Sequence, residues 1–110
     1  MFRRCAMRSS ATAFAAFALL APATGAMAQT PHSKLVALVR EDCGSCHGLT
    51  LKGGLGPPLL PEALAGRDAS RLAAIILDGM PGTPMPPWRG LLSPEDVRWI
   101  AENLKKGFPE

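Results

Sequence analysis

Tyrosine is absent from this chain of 110 residues, and tryptophan occurs only twice. Phe2, Phe14 and Phe17 are confined to the N-terminal end, so residues 29–110 hold only Trp88, Trp99 and Phe108 as aromatics. Aromatic side chains bury the largest areas in a core, and a chain with so few lacks the means to build a large one from its own residues. An apolar run of about 20 residues, enough to cross a bilayer, is also missing. The longest stretch, Ala11 to Ala21, stops at Pro22. Neither the alternation of a β-strand nor an internal repeat is found. The length excludes a multidomain enzyme.

What is present divides at residue 28. Arg3, Arg4 and Arg8 precede the apolar run, and Ala26-Met27-Ala28 supplies the small residues of an export cleavage site. Residues 1–28 are therefore expected to be a secretory signal peptide, cut after Ala28, with residues 29–110 as the mature domain. The surroundings of Arg3-Arg4 do not match a twin-arginine signal, and no cysteine at the cleavage point offers a lipid attachment. The formal charge of +3 belongs to the removed segment, because the remaining lysines and arginines equal the 9 acidic residues. A nucleic-acid partner, which requires a concentrated positive surface, loses its compositional support.

A domain this small commonly depends on a metal, a disulfide or another staple. Ten of the 11 glycines and ten of the 11 prolines fall after residue 28, which implies long irregular stretches. Leu35, Leu38, Val39 and Asp42 follow helical spacing and predict a helix over about Ser33–Asp42, ending at Cys43-Gly44. Asp68 or Ser70 can cap a second helix, Arg71–Leu77, expected to bury Leu72, Ile75 and Ile76 before Gly79. Ser93-Pro94-Glu95-Asp96 opens a third with a hydroxyl cap, a proline at the first helical position and acids in the first turn. Val97, Ile100, Ala101 and Leu104 form its apolar face, and Pro61–Ala65 reads as one further short turn. Leu49–Leu60 and Met80–Leu92 remain irregular. An all-α domain with a non-protein centre is expected.

Cys43-Gly44-Ser45-Cys46-His47 is C-x-x-C-H, the attachment pattern of a c-type haem. Two thiols at this spacing can each add to one of the porphyrin vinyl groups, and the following histidine is delivered to the iron as proximal ligand. Three rival readings are weaker. A redox disulfide of this spacing belongs with a strand–helix context, a zinc site lacks a second ligand cluster beyond His32, and a structural disulfide closing so short a loop constrains little. Export agrees with haem, because bacterial c-type haem is fixed outside the cytoplasm, so the periplasm is the expected location. For the opposite axial position, Met80 and Met85 are the thioether candidates after residue 28. Met85 is favoured because Pro84 and Pro86 fix the backbone on both sides, while Met80 also reads as a helix-end packing residue and His32 as a solvated one.

In this order of elements the chain resembles the class I cytochromes c, and the resemblance covers nearly all of residues 29–110. It implies three to four helices wrapped around one covalently bound haem. It also implies that the Pro57 carbonyl accepts the Nδ1 proton of His47 and that Trp99 packs across the first helix. One departure is Leu35, where the family often has glycine, so a wider helix crossing is expected. Longer strings, DCGSCHGLTLKGGLGPP over residues 42–58, LPEALAG over 60–66 and DGMPGTPMPPW over 78–88, resemble the small periplasmic monohaem cytochrome that accompanies cytochrome cd nitrite reductase in denitrifying bacteria.

The function these readings imply is one-electron transfer, not catalysis. Thioether ligation and burial of the haem by Leu59, Leu72, Ile75 and Ile76 both raise the reduction potential, while the same four residues also serve as ordinary core. Trp88 is suited either to donate its indole N–H to a haem propionate or to cover a haem edge. Lys52 and Arg89 either frame a docking surface or are simply solvated. The implied partner is cytochrome cd nitrite reductase, met by a monomer through a small, wet, transient contact with weak steering. A second expectation is an accessory role in maturing that reductase's special haem. A third, an open-iron enzyme such as a peroxidase, is disfavoured by the lack of a distal histidine–arginine pair.

Overall fold

A computed structural model describes residues 29–110, so the expected signal peptide, residues 1–28, lies outside the described residues. No strand occurs among the described residues, in agreement with the all-α expectation. Helix α1 (His32–Leu38) passes without a break into a π-helical stretch, Val39–Cys43, and then into α2 (Gly44–His47). The expected stop at Cys43-Gly44 is therefore wrong. Gly44 keeps helical dihedrals (φ −60°, ψ −26°), and its N–H reaches back five residues to the Val39 carbonyl. The helix ends instead at Gly48, where φ becomes +88°. A glycine marks a helix end only when it takes up the left-handed conformation, and the sequence alone does not say which of two nearby glycines does so.

The remaining elements are α3 (Pro61–Leu64), α4 (Ala69–Asp78) and α5 (Pro94–Lys106). Between the two expected caps of α4 the structure selects Asp68, whose side chain accepts from the Arg71 N–H at 2.7 Å. Leu72 is buried as expected, but Ile75 and Ile76 are only half-buried and Leu77 takes the place in the core. Ala69, Leu72, Ala73, Ile76 and Leu77 all belong to the main apolar cluster, and Ile75 lies outside it. Their spacing of i, i+3, i+4, i+7 and i+8 is a full helical stripe, shifted from the one read from Leu72, Ile75 and Ile76.

On α5 the expected face is the observed one. Val97, Ile100, Ala101 and Leu104 are all buried, and with Leu35, Val39, Leu51, Leu64 and Leu92 they complete the core. The closest backbone packing onto α5 comes from α4 and α3, while α1 meets it through side chains. Leu35 is fully buried in the shared cluster, and His32 stacks on Trp99 with ring centroids 4.2 Å apart. This agrees with Trp99 packing on the first helix. His32 is exposed, in agreement with its reading as a solvated residue, and one face of its ring lies against the indole.

The start of α5 carries a reciprocal cap. Asp96 N–H donates to Ser93 Oγ at 3.1 Å, and Ser93 N–H donates to Asp96 Oδ2 at 3.2 Å. The same carboxylate receives the Thr30 N–H at 3.0 Å and the Thr30 hydroxyl at 2.9 Å, tying the N-terminal end of the domain to α5. Burial alone would raise the Asp96 pKa, but the hydrogen bonds from Thr30 and Ser93 outweigh it and hold the carboxyl below its ordinary value of 3.8. A group whose pKa is lower folded than unfolded adds stability above its unfolded pKa, and this is lost as pH falls through the folded value. Asp96→Asn in the haem-loaded protein should therefore cost about 1 kcal/mol near neutral pH and progressively less under acid conditions. Urea unfolding at pH 7 and pH 3 checks this, and an equal loss at both would show that the charge is not the cause.

Candidate haem site

The motif sits on one continuous helical turn. Cys43 is half-buried, Cys46 is exposed, and both are free thiols three residues apart, a spacing that puts them on the same helix face. Burial, reinforced by the charge of Asp42, pushes the Cys43 thiol up to about 11. It is therefore protonated at neutral pH, the reverse of the depressed pKa that a disulfide-exchanging C-x-x-C requires. Among the described residues no cluster of three or more His, Cys, Asp or Glu is arranged to hold a metal ion, so the zinc reading gains nothing. Ser45 caps the turn from within, its hydroxyl donating to the Asp42 carbonyl at 2.6 Å.

His47 closes the turn, and its Nδ1 lies 2.7 Å from the Pro57 carbonyl oxygen. A carbonyl can only accept, so Nδ1 must carry the proton, and the lone pair is left on Nε2 for a metal. The loop that delivers Pro57 is sewn to the motif by the backbone. Gly53 N–H donates to the His47 carbonyl and Gly56 N–H to the Cys46 carbonyl, each at 2.8 Å. Gly56 is the residue that the sequence reading passed over. A Cβ placed there would stand 2.6 Å from His47 Cε1 and 2.7 Å from Nδ1, closer than any side chain allows. The run of glycines at 48, 53, 54 and 56 was the available signal, but nothing in it told which one would face the ring.

The other candidates lie on the loop between α4 and α5. Met85 is half-buried and makes its hydrogen bonds within that loop. Met80 is 44% exposed, so the helix-end packing role does not hold. Trp88 is half-buried against the core, and its backbone N–H lies 3.0 Å and 3.1 Å from the carbonyls of Ile76 and Leu77. Arg89 is neither free nor simply solvated. Its guanidinium pairs with Asp78 at 2.7 Å and closes the loop at its stem. Lys52 is exposed at the rim of a cleft that Arg40, Leu59 and Phe108 also line, and Leu59 is half-buried.

With this geometry the comparisons can be read. The family model described as cytochrome C oxidase, cbb3-type, subunit III matches residues 30–104. The chain belongs to this c-type cytochrome family. Among its relatives are cytochrome c55X of Paracoccus denitrificans, 64% identical over 69 residues (63% of this chain, 67% of the relative), and cytochrome c55X of Pseudomonas aeruginosa, 46% identical over 110 residues (96% and 92%). Of solved structures, the c-type cytochrome NirC is similar with a TM-score of 0.68 at 54% identity, over 69% of this chain and 89% of that one. The dihydro-heme d1 dehydrogenase NirN, solved in complex with DHE, is similar with a TM-score of 0.61 at 35% identity, over 67% of this chain but 16% of that one.

The class I cytochrome c fold and the narrower resemblance to the small cytochrome that accompanies cytochrome cd nitrite reductase are both borne out by these relatives. The cofactor of this cytochrome is a covalently bound haem c. The residues present fit that group: two free thiols on one turn, an imidazole whose Nε2 is spare, and a glycine where a side chain would strike the ring.

Gly56→Ala should force the His47 ring and the Pro57 carbonyl apart. Overpacking of this kind costs about 2 kcal/mol, so the variant should yield less haem-loaded protein and melt at lower temperature. The ratio of haem absorbance to total protein, together with thermal unfolding, measures both effects, and wild-type values for each would show that the ring has room to move.

Proposed function

We propose that this cytochrome is a periplasmic one-electron carrier, exported by residues 1–28, cleaved after about Ala28, and acting as a monomer that donates electrons to cytochrome cd nitrite reductase. The observation that supports it best is the 2.7 Å contact of His47 Nδ1 with the Pro57 carbonyl, beside two free thiols on the same helical turn. When bound, the haem iron supplies exchange of a single electron between its ferrous and ferric forms. Cys43 and Cys46 anchor the group covalently. His47 would ligate the iron through Nε2, and the Pro57 carbonyl fixes the ring's tautomer and orientation. Met85 would supply the second iron ligand, and its thioether would raise the reduction potential. Among the described residues no helix is long and apolar enough to cross a membrane.

A specific observation favours a second role. The similar dihydro-heme d1 dehydrogenase carries a module of this kind in 16% of its chain, together with much further sequence. A free copy of the module is suited to exchange electrons with enzymes that mature the reductase's special haem. The two roles separate genetically. Deletion of the gene followed by assay of the reductase should leave a full complement of its special haem if donation is the role, and a deficient reductase would move the assignment to maturation.

The ligand assignments are read from visible spectra of the haem-loaded protein in both oxidation states. Met85→Ala should abolish the weak charge-transfer band that reports methionine bonded to ferric iron, and Met80→Ala should keep it. His47→Ala should fail to accumulate as a stable haem-loaded protein. Retention of the band in Met85→Ala would remove Met85 from the iron.

A further inference from the structure

We propose that Thr83 is the positioning residue for Met85, setting how firmly the thioether is held; this rests on the reading of Met85 as the axial ligand. The loop opens at Gly79, whose φ of +71° is one that only glycine adopts without strain. A Cβ there would fall 2.7 Å from the Met85 carbonyl oxygen and 3.0 Å from Pro86 and Pro87 backbone atoms, so the helix end and the Met85 peptide are in direct contact. Pro81 and Gly82 then form a tight turn, with Gly82 at φ +77° and the Thr83 N–H returning to the Met80 carbonyl at 3.1 Å.

Thr83 faces both ends of this turn. Its hydroxyl donates to the Met80 carbonyl at 2.7 Å and accepts from the Met85 N–H at 3.3 Å. The ring is closed from the other side by the Met80 N–H, which donates to the Met85 carbonyl at 3.3 Å. Both backbone polar groups of Met85 are thereby engaged within six residues. Pro84, Pro86 and Pro87 have no N–H, so that of Met85 is the one donor between positions 84 and 87 able to fix the segment, and Thr83 alone receives it. The prolines fix their own φ and bias the residue before each toward extended conformations, but they do not lock ψ. Without the hydroxyl, the Met85 peptide would be free to turn about the torsions that the prolines leave open. Thr83 is exposed and lies outside the apolar core, so its loss should leave the fold in place.

Thr83→Val keeps the shape and removes the hydroxyl, Thr83→Ser keeps the hydroxyl, and Thr83→Ala removes it without the branched carbon. Imidazole is titrated into each ferric, haem-loaded protein while the methionine–iron charge-transfer band is followed, with thermal unfolding recorded alongside. The expected result is displacement of methionine at about threefold to tenfold lower imidazole for Thr83→Val and Thr83→Ala, the range one hydrogen bond supplies, and wild-type behaviour for Thr83→Ser. Unchanged imidazole affinity in Thr83→Val, whatever its melting temperature, would overturn the proposal. Met85→Ala, run in parallel, separates the two readings, because a band surviving there defeats the ligand assignment and not merely the role of Thr83.

Discussion

The hydrogen bond between His47 and the Pro57 carbonyl, with the two backbone bonds beside it, joins the helix that carries the motif to the loop that follows it. One partner ends the first helix, and the other stands in the irregular loop that runs from it to the one-turn helix α3. Such a loop can be held in two ways, by burying side chains or by spending its backbone groups on a neighbour. With so little aromatic surface in the domain, this loop relies mainly on the second. Gly53, Gly56 and Pro57 all direct backbone groups at Cys46 and His47, and Leu51 is the buried member of the loop, with Leu59 and Leu60 packed against the core. The tautomer of the imidazole and the path of the loop are thus one constraint. A histidine in the other tautomer would present the Nδ1 lone pair to the carbonyl and lose the bond.

The apolar residues divide accordingly. Those on α1, α4 and α5 pack on one another, whereas Leu49 is 72% exposed, Leu55 94% and Leu91 75%. All three lie on the irregular segments, and a cofactor that supplies its own apolar area relieves those segments of forming a core. This is also why so short a chain, with this many prolines, holds together. The helices need only make a small cluster around Val97 and Ile100, and the loops are pinned at their ends, by Asp78 with Arg89 on one side and by the glycine-rich backbone on the other.

Much of this was legible in the sequence, and what was not has physical causes. The cap of α5 and its face were read correctly because several independent signals agree there: a hydroxyl, a proline, two acids and a regular stripe. The motif was legible because its spacing is dictated by the chemistry of the porphyrin edge. The end of the first helix was misread because glycine is tolerated within a helix as well as after it, and only tertiary contact decides which. The face of α4 was displaced because Leu72 to Leu77 is a run of six apolar residues, compatible with two overlapping stripes. Gly56 and Thr83 were missed for a different reason. One acts by leaving space beside a ring and the other by bonding to backbone, and neither action writes a pattern of residue types.

A carrier that gains and loses one electron benefits when its ligands stay where they are, since any rearrangement adds to the work of transfer. Here the fixed reference is α5. It receives Thr30 from the N-terminal end through Asp96, holds the α3–α4 connection through Lys105 and the Arg67 carbonyl, and packs along α4, from which the Met85 loop departs. Both proposed ligands therefore lie on segments short enough to be held by their own hydrogen bonds and attached to the same helix system. Loops supply the chemistry and helices supply the frame, the usual division of labour in small functional domains. In this chain the frame is minimal, so the rigidity of the proposed site rests on a few backbone bonds, and single substitutions at Gly56 or Thr83 act on it without touching the iron.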